Sequence, residues 1–288
     1  MASLLKSAAA TLEMIKWEHS IFALPFALTG AVLADKGWPP LRTLIWIIVC
    51  MVAARSAAMA FNRLVDADLD AANPRTAKRA LPAGELHGRF VGGFVIVAVL
   101  VFLLGTAMLN RLTLELAPCA LAVVLGYSYM KRITRWSHLV LGLALGIAPA
   151  AAWIAVRGSL DPRILVLALA VLLWVGGFDI LYACQDFEHD RSVGLNSVPQ
   201  RFGLTMAFWI ARAMHVGMIV LLVWLVRLFD LGWIADTGIG VVTLLLLYEH
   251  SIVSPHDLKR MDASFFMLNG MISVVFFLFI VADLFLRK

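Results

Sequence analysis

The sequence has 288 residues, of which 62% are hydrophobic and only 15% are charged. A soluble globular chain carries about a quarter charged residues, so this composition excludes an ordinary soluble enzyme and indicates a protein that lies in a bilayer. The formal net charge is +5. Because the basic residues sit in loops beside apolar runs, we expect membrane topology to be the cause of this positive charge and infer no nucleic-acid partner. We also infer no obligatory protein partner.

Apolar runs long enough to cross a membrane as a helix recur along the whole chain. With about 20 residues needed for each crossing, they leave no room for a soluble domain. The sequence therefore predicts one domain over residues 1–288, an all-α bundle of nine transmembrane helices with cytoplasmic cap loops. The predicted spans lie at about 19–35, 43–62, 90–109, 113–130, 139–156, 164–182, 205–228, 231–250 and 264–285.

The basic residues are distributed unevenly between the two sides of this bundle. Fourteen of the 24 Lys and Arg residues lie on the side that contains the N-terminus, and eight lie on the other side. This bias predicts an integral protein of a bacterial-type cytoplasmic (inner) membrane, with its N-terminus in the cytoplasm and its C-terminus outside. The two longest connections, residues 63–89 and 183–204, are then cytoplasmic, and we expect the functional site there.

A polar stripe leads into the first of these connections. Its members are separated by 7, 4 and 4 residues, a spacing that puts them on one face if the helix continues through all of them. The stripe consists of Arg55, Asn62, Asp66 and Asp70. The basic residues Arg75, Lys78 and Arg79 follow it.

A second stripe with the same final spacing leads into the other long connection. It consists of Asp179, Tyr182, Asp186 and Asp190. Its last two members lie 120 residues after Asp66 and Asp70, as a duplicated half of the chain would place them. We interpret the two segments as an internal pseudo-repeat.

Carboxylates one helical turn apart indicate a specific chemistry. Such a pair presents oxygens to a hard cation without filling its coordination sphere, which is how Mg²⁺ is held when it also binds a phosphate. Two facing pairs suit a diphosphate, and the neighbouring basic residues, including Lys131 and Arg132, can neutralise its outer charge.

Asp68 and Glu188 lie off the stripes and are expected to be solvated. The histidines at predicted helix ends are expected to be interfacial: His19, His138 and His250.

These segments resemble the motifs of the UbiA superfamily of intramembrane aromatic prenyltransferases. Residues 62–70 read NRLVDADLD, which resembles the first N-x-x-x-D-x-x-x-D motif, and residues 79–84 resemble its R-x-L-P-x-G continuation. Residues 179–190 resemble the second motif, D-x-x-Y-A-x-x-D-x-x-x-D. Tyr127, Lys131 and Arg132 resemble the Y-x-x-x-K-R at the end of the fourth helix. The resemblance covers nearly the whole chain.

The resemblance implies a helical bundle whose cavity opens to lipid, with cytoplasmic cap loops over two Mg²⁺ ions. The implied metal ligands are Asp66, Asp70, Asp186 and Asp190. Substrate binding is expected of Arg55, Asn62, Arg75, Arg79, Tyr127, Lys131 and Arg132. Catalysis is expected of Asp179, Tyr182 and Asp186, with Asp179 or Asp186 removing the ring proton.

The expected reaction is Mg²⁺-dependent transfer of a polyprenyl chain from its diphosphate to an aromatic acid. The leading acceptor is 4-hydroxybenzoate, on the way to a respiratory quinone of the ubiquinone type. The first helix, Glu18 to Pro25, and Ser128 depart from the usual hydroxybenzoate pattern, which leaves a dihydroxynaphthoate of menaquinone synthesis as an alternative acceptor. A cation-coupled transporter is the alternative from another class, because repeats and intramembrane acids also mark transporters.

Overall fold

The computed structural model describes residues 2–16, 20–258 and 261–286, and these residues form thirteen α-helices and no β-strand. The helices are α1 Ala2–Ile15, α2 Ser20–Asp35, α3 Leu41–Val65, α4 Ala67–Ala72, α5 Gly88–Leu109, α6 Arg111–Ile133, α7 Ser137–Arg157, α8 Ile164–Ala183, α9 Phe187–Val193, α10 Val198–Phe202, α11 Leu204–Leu228, α12 Trp233–Ile252 and α13 Met261–Leu286. Predictions made for Glu18, His19, Lys259, Arg260, Arg287 and Lys288 lie outside the described residues.

Seven of the described helices are long and apolar enough to cross a membrane, so the chain is an integral membrane protein. They are α3, α5, α6, α7, α8, α11 and α13. The apolar part of α2 is shorter, Ala23–Asp35, and α12 is not among the seven because Asp236 and Glu249 near its two ends lower its mean hydropathy.

The outer surface of the bundle is apolar where a soluble protein would be polar. Large side chains such as Ile96 of α5 and Leu244 of α12 are 63% and 67% exposed. A soluble monomer avoids a continuous apolar surface of this kind, whereas in lipid it faces hydrocarbon tails at no cost.

Helix α8 runs through the centre of the bundle and packs most closely against α7 and α11. Trp174 of α8 is fully buried. Glycines in α7 permit the close approach of α8: a Cβ atom on Gly142 would lie 2.4 Å from the carbonyl oxygen of Leu172. Small residues at such crossings are the usual means of packing helices in a membrane.

The two acidic stripes do not continue as single helices. Helix α3 ends at Val65 and α4 begins after Asp66, which has φ −96° and ψ 6°. Helix α8 passes through a 3₁₀ turn, Cys184–Asp186, and α9 begins after Asp186, which has φ −97° and ψ 10°. The prediction that each stripe lies on one face of a continuous helix therefore does not hold, because the helix breaks at Asp66 and at Asp186. At each break the aspartate side chain is bound by a basic residue of another element, which holds it toward the interior of the bundle.

Candidate active site

A polar cavity of about 830 Å³ lies at one end of the bundle. There the C-terminal ends of α3, α6 and α8 meet the N-terminal end of α7, and the α3–α5 and α8–α11 connections cover them. Twelve of the thirteen predicted site residues line it: Arg55, Asn62, Asp66, Asp70, Arg75, Arg79, Tyr127, Lys131, Asp179, Tyr182, Asp186 and Asp190. The exception is Arg132, which does not line the cavity but contacts Asp66.

Asp66 is almost completely buried and is held from three sides. Its Oδ2 accepts hydrogen bonds from Lys131 Nζ at 2.6 Å and from Asn62 Nδ2 at 2.9 Å. Its Oδ1 lies 3.0 Å from a terminal nitrogen of Arg132. A carboxylate buried in this way remains charged only when cations or donors compensate it, and here two cations do so.

Asp70 is also buried and is paired with Arg79 at 2.7 Å through its Oδ1. Its backbone carbonyl accepts a hydrogen bond from Thr76 Oγ1. Its Oδ2 is buried, and no hydrogen-bond donor among the described residues reaches it. A buried carboxylate oxygen without a donor is a candidate ligand for a cation.

Asp186 makes a two-pronged ion pair with Arg75. Arg75 Nε donates to Oδ1 at 2.9 Å and a terminal nitrogen donates to Oδ2 at 2.5 Å, while Asn73 Nδ2 also donates to Oδ1 at 2.9 Å. Burial alone would lower the pKa of the Arg75 guanidinium, but the hydrogen bonds and charge of Asp186 raise that pKa above its ordinary value. Arg75 also donates to the hydroxyl of Tyr182 at 3.0 Å.

The segment Asn73–Arg79 connects the two acidic pairs across the cavity. Its first half binds Asp186 through Asn73 and Arg75, and its last residue binds Asp70. The basic residues that follow the first motif therefore serve both motifs. Asn73 could not be identified from the sequence, because its partner Asp186 is 113 residues away and no local spacing indicates such a contact.

The prediction of an interfacial His138 is wrong. The side chain is buried, its Nδ1 lies 2.7 Å from Asp179 Oδ2, and its Nε2 lies 3.3 Å from the backbone nitrogen of Val198. Only residues 134–136 separate α6 from α7, and the start of α7 lies against the start of α10, where Val198 contacts His138. His250 is half-buried and lies 2.9 Å from His215, and it is not on the cavity wall.

A second, apolar cavity of about 380 Å³ adjoins the polar one between α3, α6 and α7. Five residues line both: Arg55, Met59, Tyr127, Leu141 and Leu145. Arg55 Nε is buried, and no hydrogen-bond acceptor among the described residues reaches it. An unpaired guanidinium edge at the boundary of the two cavities is suited to an anionic group of a ligand.

The donor set supplies only part of the coordination shell of a cation. Among the described residues, no group of three or more His, Cys, Asp or Glu side chains is close enough to form a complete metal site. The acids are instead arranged as pairs on two walls of one cavity. Carboxylate pairs with open coordination positions fit Mg²⁺, which binds through one or two carboxylates and completes its shell with water and phosphate oxygens.

The chain matches a known protein family over most of its length. Residues 23–271 match the profile of the UbiA prenyltransferase family. A 4-hydroxybenzoate octaprenyltransferase of Escherichia fergusonii is 31% identical over 250 residues, which are 85% of this chain and 84% of that protein. A 4-hydroxybenzoate octaprenyltransferase of Vibrio cholerae serotype O1 is 35% identical over 185 residues, and the match spans 64% of this chain and 65% of that protein.

Solved structures share the fold. A UbiA homologue from Aeropyrum pernix K1 superposes with a TM-score of 0.84 and 34% identity, covering 92% of this chain and 98% of that one. A UbiA homologue from Archaeoglobus fulgidus bound to GPP and Mg²⁺ superposes with a TM-score of 0.72 and 19% identity, covering 96% of this chain and 99% of that one. At the lower identity the likeness concerns the fold alone.

Proposed function

This chain belongs to the UbiA prenyltransferase family, and from that premise we propose that it transfers a polyprenyl chain from its diphosphate to the ring of an aromatic acid, with 4-hydroxybenzoate as the acceptor. The observation that carries the proposal is that both aspartate pairs line the same polar cavity, with basic side chains against both pairs and an apolar cavity beside it. The relatives named as 4-hydroxybenzoate octaprenyltransferases support the choice of acceptor.

The diphosphate and Mg²⁺ are assigned to the two aspartate pairs. Asp66 and Asp70 would hold the metal on one wall and Asp186 and Asp190 on the other, and the buried, donor-free Oδ2 of Asp70 fits a cation. Bound Mg²⁺ stabilises the charge that develops on the departing pyrophosphate. All other steps of the proposal rest on side chains of the chain itself.

The basic residues have two sets of partners in this proposal. In the structure Arg75, Arg79 and Lys131 neutralise the aspartates directly. When a diphosphate enters, its oxygens would take over as acceptors for these cations, and the aspartates that they release would be free to hold the metal. The allylic C–O bond then breaks with its electron pair going to a pyrophosphate whose charge the same three side chains offset.

The acceptor is assigned to the boundary of the polar and apolar cavities. The unpaired edge of Arg55 fits the carboxylate of an aromatic acid, and Tyr127 lies on the same boundary. The apolar cavity takes the first isoprene units of the donor and keeps water from the allylic cation, which water would otherwise capture. The remaining chain would extend into lipid.

The membrane arrangement completes the proposal. We place the cavity on the cytoplasmic side of a bacterial-type inner membrane, with nine crossings formed by the seven long apolar helices together with α2 and α12. The two connections that carry α4, α9 and α10 then form the cytoplasmic cap. The asymmetry of Lys and Arg supports this orientation.

A labelled-acceptor assay tests the proposed function. The purified protein in lipid nanodiscs is incubated with ring-labelled 4-hydroxybenzoate and a polyprenyl diphosphate, with Mg²⁺ or with a chelator. The proposal predicts transfer of the label into an organic-soluble product only with Mg²⁺, together with an equal amount of pyrophosphate. Label that stays in the aqueous phase, with correctly folded protein and several chain lengths offered, would overturn it.

A further inference from the structure

His138 is a buried histidine on the wall of the polar cavity, and the roles assigned above do not use it. It is the second residue of α7 and is only 4% exposed. Its Nδ1 lies 2.7 Å from Asp179 Oδ2, and its Nε2 lies 3.3 Å from the backbone nitrogen of Val198, the first residue of α10. The histidine therefore links α7, α8 and the start of α10 at one point.

The two contacts determine which ring nitrogen carries the proton. A backbone N–H can only donate, so the Val198 contact requires that His138 Nε2 accept and be unprotonated. In the neutral ring the proton is then on Nδ1, which donates it to Asp179 Oδ2. A protonated ring would set two N–H groups against each other at Val198. The arrangement is that of a neutral donor fixed behind a carboxylate.

Asp179 differs from the other carboxylate considered for proton removal. Both oxygens of Asp186 are bound by Arg75, and Asn73 adds a further donor. Among the described residues, no Lys or Arg side chain lies within salt-bridge distance of Asp179, which is bound by His138 instead. The Asp179 side chain is 26% exposed and lines the cavity. A base must be reachable and not already neutralised by a cation. Asp186 is bound by Arg75 in this structure and is assigned to the metal in the proposed function, so Asp179 meets these conditions better.

We infer, resting on the proposed function, that Asp179 is the catalytic base that takes the ring proton and that His138 is the positioning residue that aims it. The carboxylate is held at Oδ2, which leaves Oδ1 for the acceptor ring. His138 itself touches no reacting atom. Its contact with Val198 makes the orientation of the base depend on the connection that carries Asp186 and Asp190.

The step balances within the groups named. Loss of pyrophosphate leaves an allylic cation, and a π-electron pair of the acceptor ring forms the new C–C bond to it. The ring C–H bond at that carbon then breaks, its electron pair restores the aromatic system, and Asp179 binds the proton. The proton leaves to water after product release, so no oxidant or further reactant is needed.

The test compares His138→Leu, which removes the donor, with His138→Asn, whose amide nitrogen can take the place of Nδ1. Rates are measured with 4-hydroxybenzoate carrying hydrogen or deuterium at the ring carbons that react. We expect H138L to lower kcat by about 10- to 100-fold, with the KM for the prenyl diphosphate unchanged and the deuterium isotope effect increased. H138N should recover most of the loss. His87→Leu, the same substitution at an exposed residue, is the matched control.

A double variant separates positioning from general damage. If His138 acts through Asp179, H138L combined with Asp179→Asn loses no more activity than D179N alone. Two outcomes for H138L alone would overturn the inference: an isotope effect equal to that of the wild type, or a change confined to the KM for the diphosphate. Additive losses of activity in the double variant would also overturn it. All three outcomes leave the proposed function intact. If H138L does not fold, His138→Gln replaces it: its amide oxygen can accept from the Val198 N–H, but it has no donor at the position of Nδ1, so the same loss and the same increased isotope effect are expected. A wild-type protein that forms no product contradicts the proposed function itself.

Discussion

Asp66 and Asp186 occupy the same kind of helix break in the two halves of the chain. Their φ and ψ angles agree within a few degrees, at −96° and 6° against −97° and 10°, and each lies directly before a short helix that carries the second aspartate of its motif. Each is also bound by a basic residue from another element. The pseudo-repeat suggested by spacing alone is therefore also a repeat of backbone conformation.

The first prediction concerns the two aspartates at these breaks. Asp66→Asn and Asp186→Asn should each lower the rate of product formation by at least about 100-fold, because each removes a charge needed to hold the metal-bound diphosphate. Steady-state kinetics at saturating Mg²⁺ measure the loss. Asp68→Asn is the control, since Asp68 is exposed and lies off the cavity wall. Equal activity of D66N and D68N would contradict the assignment.

The second prediction concerns Arg75, which competes with a cation for Asp186. Arg75→Gln removes the two-pronged ion pair. Without diphosphate, the variant should bind Mg²⁺ more tightly than the wild type, because Asp186 is no longer neutralised. It should also raise the KM for the prenyl diphosphate by about tenfold or more, since a charged donor is lost.

Calorimetric Mg²⁺ titration and steady-state kinetics measure these two opposite changes. Arg89→Gln, at an exposed position early in α5, should alter neither. Weaker Mg²⁺ binding by R75Q would show that Arg75 does not compete for the carboxylate.

The third prediction concerns recognition of the acceptor by Arg55. Arg55→Leu should raise the KM for 4-hydroxybenzoate by about 10- to 100-fold, because the carboxylate loses its charged donors. Phenol, which has no carboxylate, serves as the chemical control and should be used no worse by R55L than by the wild type. A variant that loses phenol and 4-hydroxybenzoate equally would place Arg55 in the fold and not in acceptor binding.

The fourth prediction concerns the packing of α7 on α8. Gly142→Ala should destabilise the protein by about 1–3 kcal/mol, because its new methyl group would lie 2.4 Å from the Leu172 carbonyl oxygen. Gly126→Ala in α6 meets no atom within 4 Å, so the same change there should be neutral or stabilise by about 0.5–1 kcal/mol. Thermal unfolding in one detergent compares the two variants. Equal melting temperatures would contradict the close helix contact.

Local patterns predicted much of this molecule. Apolar run lengths located the seven described helices that are long and apolar enough to cross a membrane, and the four-residue spacings identified Asp66, Asp70, Asp186 and Asp190, which line one cavity. Run length is informative because lipid demands a minimum length of apolar chain. The spacing is informative because the two aspartates of each pair still lie about one helical turn apart, although the helix that leads into the pair breaks at Asp66 or Asp186.

Contacts between distant segments could not be predicted in the same way. Asn73 lies 113 residues from its partner Asp186, and His138 lies 60 residues from Val198. The periodicity of a single helix carries no information about contacts over such separations. The breaks at Asp66 and Asp186 escaped notice for a related reason. They depend on basic partners from other elements, while local spacing alone favours a continuous helix.

The identity of the prenylated product tests the central claim most directly. Membranes containing the protein are given a polyprenyl diphosphate, Mg²⁺ and an equal mixture of 4-hydroxybenzoate and dihydroxynaphthoates, and the products are identified by mass. We expect prenylated 4-hydroxybenzoate as the product with the wild-type protein. The same product should be missing when the membranes contain the D66N variant instead. Prenylated naphthoate alone would contradict the assigned acceptor, and the absence of any product that depends on Asp66 would contradict the proposed reaction.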